Sequence, residues 1–451
     1  MFDLVIKGGR IVDPIDGELF GNIGISQNKI VSVSEKELKG AKIIDAKGLT
    51  VAPGFIDIHM HEGKLSGDKI EYDILDAMVR MGVTTAIGGN CGIGVPDVIE
   101  YTGIINQQGA PCNYAGLVGV GAIRDYIGCK SVYKPATPEE LKKIISFIGE
   151  QLSKGAIGLS IGLEYVPGMS TTELLQICQH VSQFPDRLVA CHYRFDADRS
   201  LEALAEMLII ARETGVKFQI SHIGSCIAFG YMESGLKMME TASKSGVDIQ
   251  ADVYPYTAFC TYLDSAIFDP GCIERWGTGY DALQIAEGDY CGQFCDEELF
   301  LRLRKEGAHV LTNAFVMRED EVKEAIRHPL IMIASDGMLS NGQGHPRTTG
   351  TFPRALGKYV REERAIDLAQ AINKITNMPA QRLGFTSKGR ILEGYDADIT
   401  IFDADKVIDN STFENPNLPP AGINYVIVNG KLALEDSKLT GVNSGKGLLR
   451  L

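Results

Sequence analysis

No stretch of the chain approaches the roughly 18–20 apolar residues that a membrane-crossing helix needs, and no repeat or low-complexity tract stands out. A helical membrane protein and a solenoid are therefore not expected. The opening residues Met1, Phe2, Asp3 and Leu4 place an acid where a secretory leader carries positive charge. A soluble, cytoplasmic protein is the expectation. Basic residues are in deficit, 44 Lys and Arg against 58 Asp and Glu, for a net charge of −14. That balance argues against nucleic acid or an anionic membrane as partner. A small anionic substrate stays open, because a pocket can be locally basic. The ten cysteines lack the spacing of a small disulfide framework, so in a reducing compartment they read as free thiols or metal ligands. Cys291 and Cys295, four apart in a Gly-containing stretch, could be a metal pair or two ordinary thiols. Histidine is scarce, with eight in 451 residues.

The length suits a barrel of roughly 250–400 residues plus an extra module, and the 45% apolar content allows a large core. Both chain ends carry short β-like runs. At the N-terminal end these are residues 4–6, 29–33 and 42–45, separated by turn residues Gly8-Gly9, Asp16-Gly17 and Gln27-Asn28. Near the C-terminus, 399–402 and 425–428 read as strands, with Asn429-Gly430 as a hairpin turn. The middle alternates strand and helix. Candidate strands are 55–60, 84–88, 113–120, 157–161, 188–192, 217–221, 248–253 and 330–335. Amphipathic stretches at 139–152 and 200–214 show apolar spacings of three and four. Eight strand–helix units imply an α/β fold, a (β/α)8 TIM-like barrel, with a small β-sandwich domain formed by both chain ends. The expected division is 1–53 with 386–451 for the sandwich and 54–385 for the barrel. An inserted subdomain at 262–318 fills the long connection before the eighth strand.

Several potential ligands fall at the ends of these strands. His59 and His61 form His-X-His after the first strand, and residues two apart share one face of a strand. Cys91 follows the second strand, His192 ends the fifth, His222 follows the sixth, and Asp336 follows the eighth. In a barrel these ends converge on one mouth, where active sites of this fold lie. Singly, each has an ordinary reading: a loop His or Asp is often structural, and a lone Cys is usually a small buried hydrophobe. Their joint order is what points to a metal site. His180, His309 and His328 lie in helix-like or loop contexts and read as non-catalytic.

Gly54-Phe55-Ile56-Asp57-Ile58-His59-Met60-His61 resembles the opening motif of the amidohydrolase superfamily. Most members supply a carboxylated Lys or a Glu at the fourth strand. Here that segment, from Gly158 to Tyr165, has no Lys, and Cys91 could provide the missing anion. With this substitution the chain resembles the D-aminoacylase (N-acyl-D-amino-acid deacylase) family over nearly its whole length. The likeness includes Gly162-Leu163-Glu164-Tyr165-Val166-Pro167-Gly168, Ile220-Ser221-His222 and Asp252-Val253-Tyr254-Pro255-Tyr256. It continues through Ser335-Asp336-Gly337, Gly344-His345-Pro346-Arg347 and Gly350-Thr351-Phe352-Pro353-Arg354.

The resemblance implies one tight Zn2+ on Cys91, His192 and His222. It implies a weaker second site at His59 and His61, sharing Cys91 and Asp336. A thiolate and two imidazoles suit zinc and leave a position for water. It further implies Asp336 as the catalytic base and acid, and Arg347 with Tyr254 on the carboxylate of a small N-acyl amino acid. The chain departs from the family at Gly224, where a Lys is expected, and at Cys260, where a Ser is expected. Two carboxylate contacts are thereby lost, so the substrate could be a different N-acyl amino acid or another amide. A cyclic amidase or dipeptidase of the same superfamily is the rival enzyme, and a non-catalytic barrel scaffold is the rival of another class. A scaffold is expected to lose ligands, whereas all six positions are filled here.

Overall fold

A computed structural model describes residues 1–450. Eight parallel strands form the barrel wall: Phe55–Asp57, Val83–Gly88, Asn113–Gly119, Gly158–Gly162, Leu188–His192, Lys217–Ile220, Ile249–Val253 and Ile331–Ile333. Each pairs with its predecessor in chain order. The seam between first and eighth strands is closed by Asp336 N–H donating to His59 O at 2.7 Å and His61 N–H donating to Gly337 O at 2.9 Å. Asp57 reinforces it, accepting from Ser335 N–H at 3.0 Å and from the Ser335 hydroxyl. Closure thus rests on the segments that carry His59, His61 and Asp336.

The outer helices follow from local signals. Pro138–Ser153 starts with a Thr137–Glu140 capping box and a proline in its first turn, and it buries Leu141, Ile144, Ile148 and Leu152. Ser200–Thr214 ends at Gly215, whose φ of 69° is left-handed. Among the described residues no helix is long and apolar enough to cross a membrane.

The chain ends meet in a nine-stranded sheet. Thr50–Pro53 pairs antiparallel with Ile399–Phe402, and Leu4, Ile6, Ile23, Val51, Ile399 and Ile427 share one core. Arg390 Nε donates to Asp13 at 2.8 Å, tying the returning chain to the first strand. Gly8-Gly9 is not a turn. It lies inside the long strand Phe2–Asp13, where the pairing register shifts between Ile6 and Gly9. Gly8 at φ 69° absorbs that bulge. Asn429-Gly430 turns the hairpin between Ile423–Val428 and Lys431–Glu435 as expected.

The long connection before the eighth strand holds a three-stranded antiparallel sheet, Phe259–Tyr262, Leu283–Ile285 and Leu311–Ala314. Its first strand brings Cys260 and Thr261 to the barrel mouth. Cys291 is exposed and Cys295 buried. Neither belongs to a group of three or more metal-capable side chains among the described residues.

Candidate metal centre and active site

Two such groups sit at the barrel mouth and share a thiol. His59, His61, Cys91 and Asp336 form one; Cys91, His192 and His222 form the other, with ligand atoms within 4.8 Å of one another in each. All six residues placed at strand ends from the sequence therefore converge. Cys91 Sγ is 3.3 Å from both His59 Nε2 and His222 Nε2. Asp336 Oδ1 is 3.1 Å from His61 Nε2 and 3.2 Å from His59 Nε2. Three of the six depart from ordinary backbone geometry: Cys91, His222 and Asp336 have φ of 55°, 30° and 48°. Left-handed backbone is costly for residues with a Cβ and persists where neighbours impose it.

Those neighbours orient the imidazoles. Asp252 accepts from His59 Nδ1 at 3.0 Å and from the His222 backbone N–H at 2.8 Å. The Ser225 hydroxyl lies 2.8 Å from His222 Nδ1. Glu164 holds His192 Nε2 at 2.8 Å, leaving His192 Nδ1 buried with no hydrogen-bond partner. A ligating His commonly gives its other ring nitrogen to a carboxylate, so an orphaned Nδ1 beside a thiol is what a metal ligand looks like. The sequence motifs include Asp252 and Glu164 without giving them a role, and they do not reach Ser225. The available signal was an Asp inside a barrel strand, where acids are depleted.

The charges agree with a cation site. Burial by itself would raise the Cys91 thiol, but His222 and His59 beside it pull it well below its ordinary value. Burial likewise opposes ionisation of Asp336, and Arg347, His222 and His59 overcome it, holding the carboxyl well below the usual range. Two anions thus face clustered imidazoles. One thiolate with imidazole nitrogens is a donor set that suits zinc.

Arg347 lies against both Asp336 and Tyr254. Arg347 is only 2% exposed. Its Nη2 reaches Asp336 Oδ2 at 2.9 Å and the Cys260 carbonyl at 3.1 Å. Its guanidinium carbon lies 4.5 Å from the Tyr254 ring centre. Nε and Nη1 are buried without partners. His345 fixes the turn before it, its Nδ1 accepting from Arg347 N–H at 2.9 Å while Nε2 donates to Ala258 O at 3.0 Å. A small cavity over His192, His222 and Asp336 is walled by Glu164, Tyr165, Phe259 and Ile267. Gly224 faces away from charge: a Cβ there would meet Met317 and Val253. His180, His309 and His328 stand outside both ligand groups; His309 stacks on Tyr262, and His328 pairs with Glu240.

The amidohydrolase family model matches residues 42–109 and 282–433. The N-acyl-D-glutamate deacylase of Alcaligenes xylosoxydans xylosoxydans is 32% identical, over 95% of this chain and 93% of its own. The chain belongs to the D-aminoacylase family of amidohydrolases. Solved members of that family superpose on it throughout. The N-acyl-D-glutamate deacylase of Bordetella bronchiseptica, complexed with zinc and a phosphonate mimic of the tetrahedral intermediate, matches with a TM-score of 0.89 and 30% identity over 100% of both chains. A D-aminoacylase described for its binuclear metal centre, with one-metal activation and second-metal attenuation, matches at 0.88 and 28% over 100% of both. This member of the D-aminoacylase family is a zinc-dependent amidohydrolase of amide bonds, with room for a second ion.

Proposed function

We propose that the chain hydrolyses N-acyl-D-amino acids to a carboxylic acid and a free D-amino acid. Cys91, His192 and His222 would hold the tight zinc, and His59 and His61 the weaker second ion shared with Cys91 and Asp336. Zinc bound there supplies Lewis acidity at the scissile carbonyl and lowers the pKa of water to about 7. Asp336, kept anionic by Arg347 and the imidazoles, accepts the proton of the attacking water. It then passes that proton to the departing amide nitrogen, which leaves as the amine. The burial of Asp336 and Cys91 excludes bulk water, so the charges around the carbonyl are weakly screened.

The observation that carries the substrate reading is the pair of unpartnered nitrogens on buried Arg347. Buried donors seldom go unsatisfied, and a charged guanidinium N–H is a strong donor to a carboxylate oxygen. The α-carboxylate of an amino acid lies two bonds from the scissile nitrogen. A guanidinium touching the catalytic Asp336 is placed to receive it. Tyr254 supports the guanidinium from its face. The D preference rests on relatives named for N-acyl-D-glutamate, N-acyl-D-aspartate and D-amino acids. The test is a panel of N-acetyl and N-formyl D- and L-amino acids, scored by amine release before and after chelation. The proposal expects D-selective turnover that is lost with zinc. Equal rates on L substrates would overturn the stereochemical reading.

A further inference from the structure

The turn that carries Cys91 is left-handed at three residues, and only at Cys91 is that backbone strained. Gly89, Cys91 and Gly92 all have left-handed φ, at 75°, 55° and 72°. Two side chains grip this turn, one from the loop after the first barrel strand and one from the fourth strand. The Glu62 carboxylate, next to His61, spans its two ends: Oε2 accepts from Gly89 N–H at 2.5 Å and Oε1 from Val95 N–H at 2.9 Å. Ser160 on the fourth strand is fully buried. Its hydroxyl accepts from Gly92 N–H at 2.9 Å and donates to the Gly89 carbonyl. The surroundings are cut to fit. A Cβ at Gly88 would lie 2.6 Å from Glu62 Oε2, and one at Gly94 would collide with Oε1. A Cβ at Gly162 would strike the Cys91 carbonyl, and one at Gly121 would lie 2.7 Å from the Gly92 carbonyl. The turn therefore sits in a glycine-lined socket that leaves its polar groups to Glu62 and Ser160.

We infer that Glu62 and Ser160 are positioning residues that preorganise Cys91 as a zinc ligand, so that the fourth strand contributes a clamp on the ligand turn. This rests on the reading of Cys91 as a ligand. Without the clamp, two glycines and a strained cysteine would sample other conformers, and the thiolate would meet zinc less often in the bound geometry. Loss of residues that orient a ligand typically weakens metal binding about 10–100-fold.

The test uses the full-length enzyme with Glu62→Gln and Ser160→Ala. Glu62→Gln is nearly isosteric and only half-buried, so it keeps the test open if Ser160→Ala folds poorly. Zinc affinity is measured by chelator competition, and the thiolate-to-metal absorption band is recorded on the cobalt(II)-loaded protein. The expected result, in variants that remain folded without metal, is zinc binding about 10–100-fold weaker and a weakened or shifted cobalt–thiolate band. Wild-type zinc affinity and band in the folded variants would overturn the inference, even with lowered stability, because the contacts would then be structural only. A wild-type protein with no cobalt–thiolate band would remove Cys91 as a ligand and the clamp with it.

Discussion

Replacing Arg347 should act on two steps at once. The side chain neutralises Asp336 through Nη2 at 2.9 Å and leaves Nε and Nη1 buried without partners. Arg347→Ala removes both functions. The first loss leaves Asp336 buried beside the histidines with its main counter-charge gone, so its proton affinity rises and kcat falls for any substrate. The second loss is felt only by substrates bearing a carboxylate. Hydrogen bonds to charged groups contribute about 1.5–3 kcal/mol, which is roughly a ten- to hundredfold effect. The assay compares kcat/KM for an N-acyl-D-amino acid with that for its carboxamide, in wild type and variant. The acid should lose at least about tenfold more than the amide, mostly through KM. Arg347→Lys should restore part of kcat, because an ammonium can still face Asp336. It should not restore KM, because one ammonium cannot hold Asp336 and the Cys260 carbonyl and also replace the further N–H donors of the guanidinium. Equal losses for acid and amide would show that Arg347 serves Asp336 alone, and the carboxylate assignment would fall.

Other sites give independent tests. Asp336→Asn should bind close to the wild-type amount of tight zinc yet lose about 10²–10⁴-fold in kcat; near-normal turnover would remove Asp336 as the proton carrier. Glu164→Gln weakens the anchor of His192 Nε2 and should raise the zinc Kd about 10–100-fold, read by chelator competition. Asp13→Asn should destabilise the joined chain ends by about 1–3 kcal/mol at neutral pH, read by urea unfolding. Asp13 is held below its ordinary value, since Arg390 and three backbone N–H groups outweigh its burial. The folded state then binds its proton more weakly than the unfolded chain, and stability from this group is present above the ordinary carboxylate range. It is lost as pH falls through the depressed value, so the gap between wild type and Asp13→Asn should close in acid and stay constant above about pH 5.

The barrel was legible because its strands are short apolar runs separated by amphipathic helices with strong starts, such as Thr137-Pro138. The cluster was legible because strand order places His59, His61, His192 and Asp336 at or just beyond the ends of barrel strands, which converge on one mouth. What held them was not. Asp252 contacts His59 after the first strand and Gln219 and His222 at the sixth, and only the closed barrel brings those together. Glu164 lies two residues past its strand, where a loop conformation decides its direction. Arg347 could be assigned to a carboxylate, but its pairing with Asp336 comes from a fold-back of the segment after the eighth strand. Gly8-Gly9 looked like a turn because glycine pairs serve bulges and turns equally well. Gly224 marks the reverse case: the family resemblance pointed to an absent cation, while the apolar neighbours Met317 and Val253 that a side chain there would meet needed the fold.

The central claim is that zinc at Cys91, His192 and His222 drives amide hydrolysis. Its most direct test is zinc content and N-acyl-D-amino acid turnover measured on the same preparation through a chelator titration and back. The account predicts that activity falls in step with loss of about one tight zinc per chain and returns when one equivalent is restored, with a second equivalent binding more weakly. Full turnover by protein stripped of metal would contradict it.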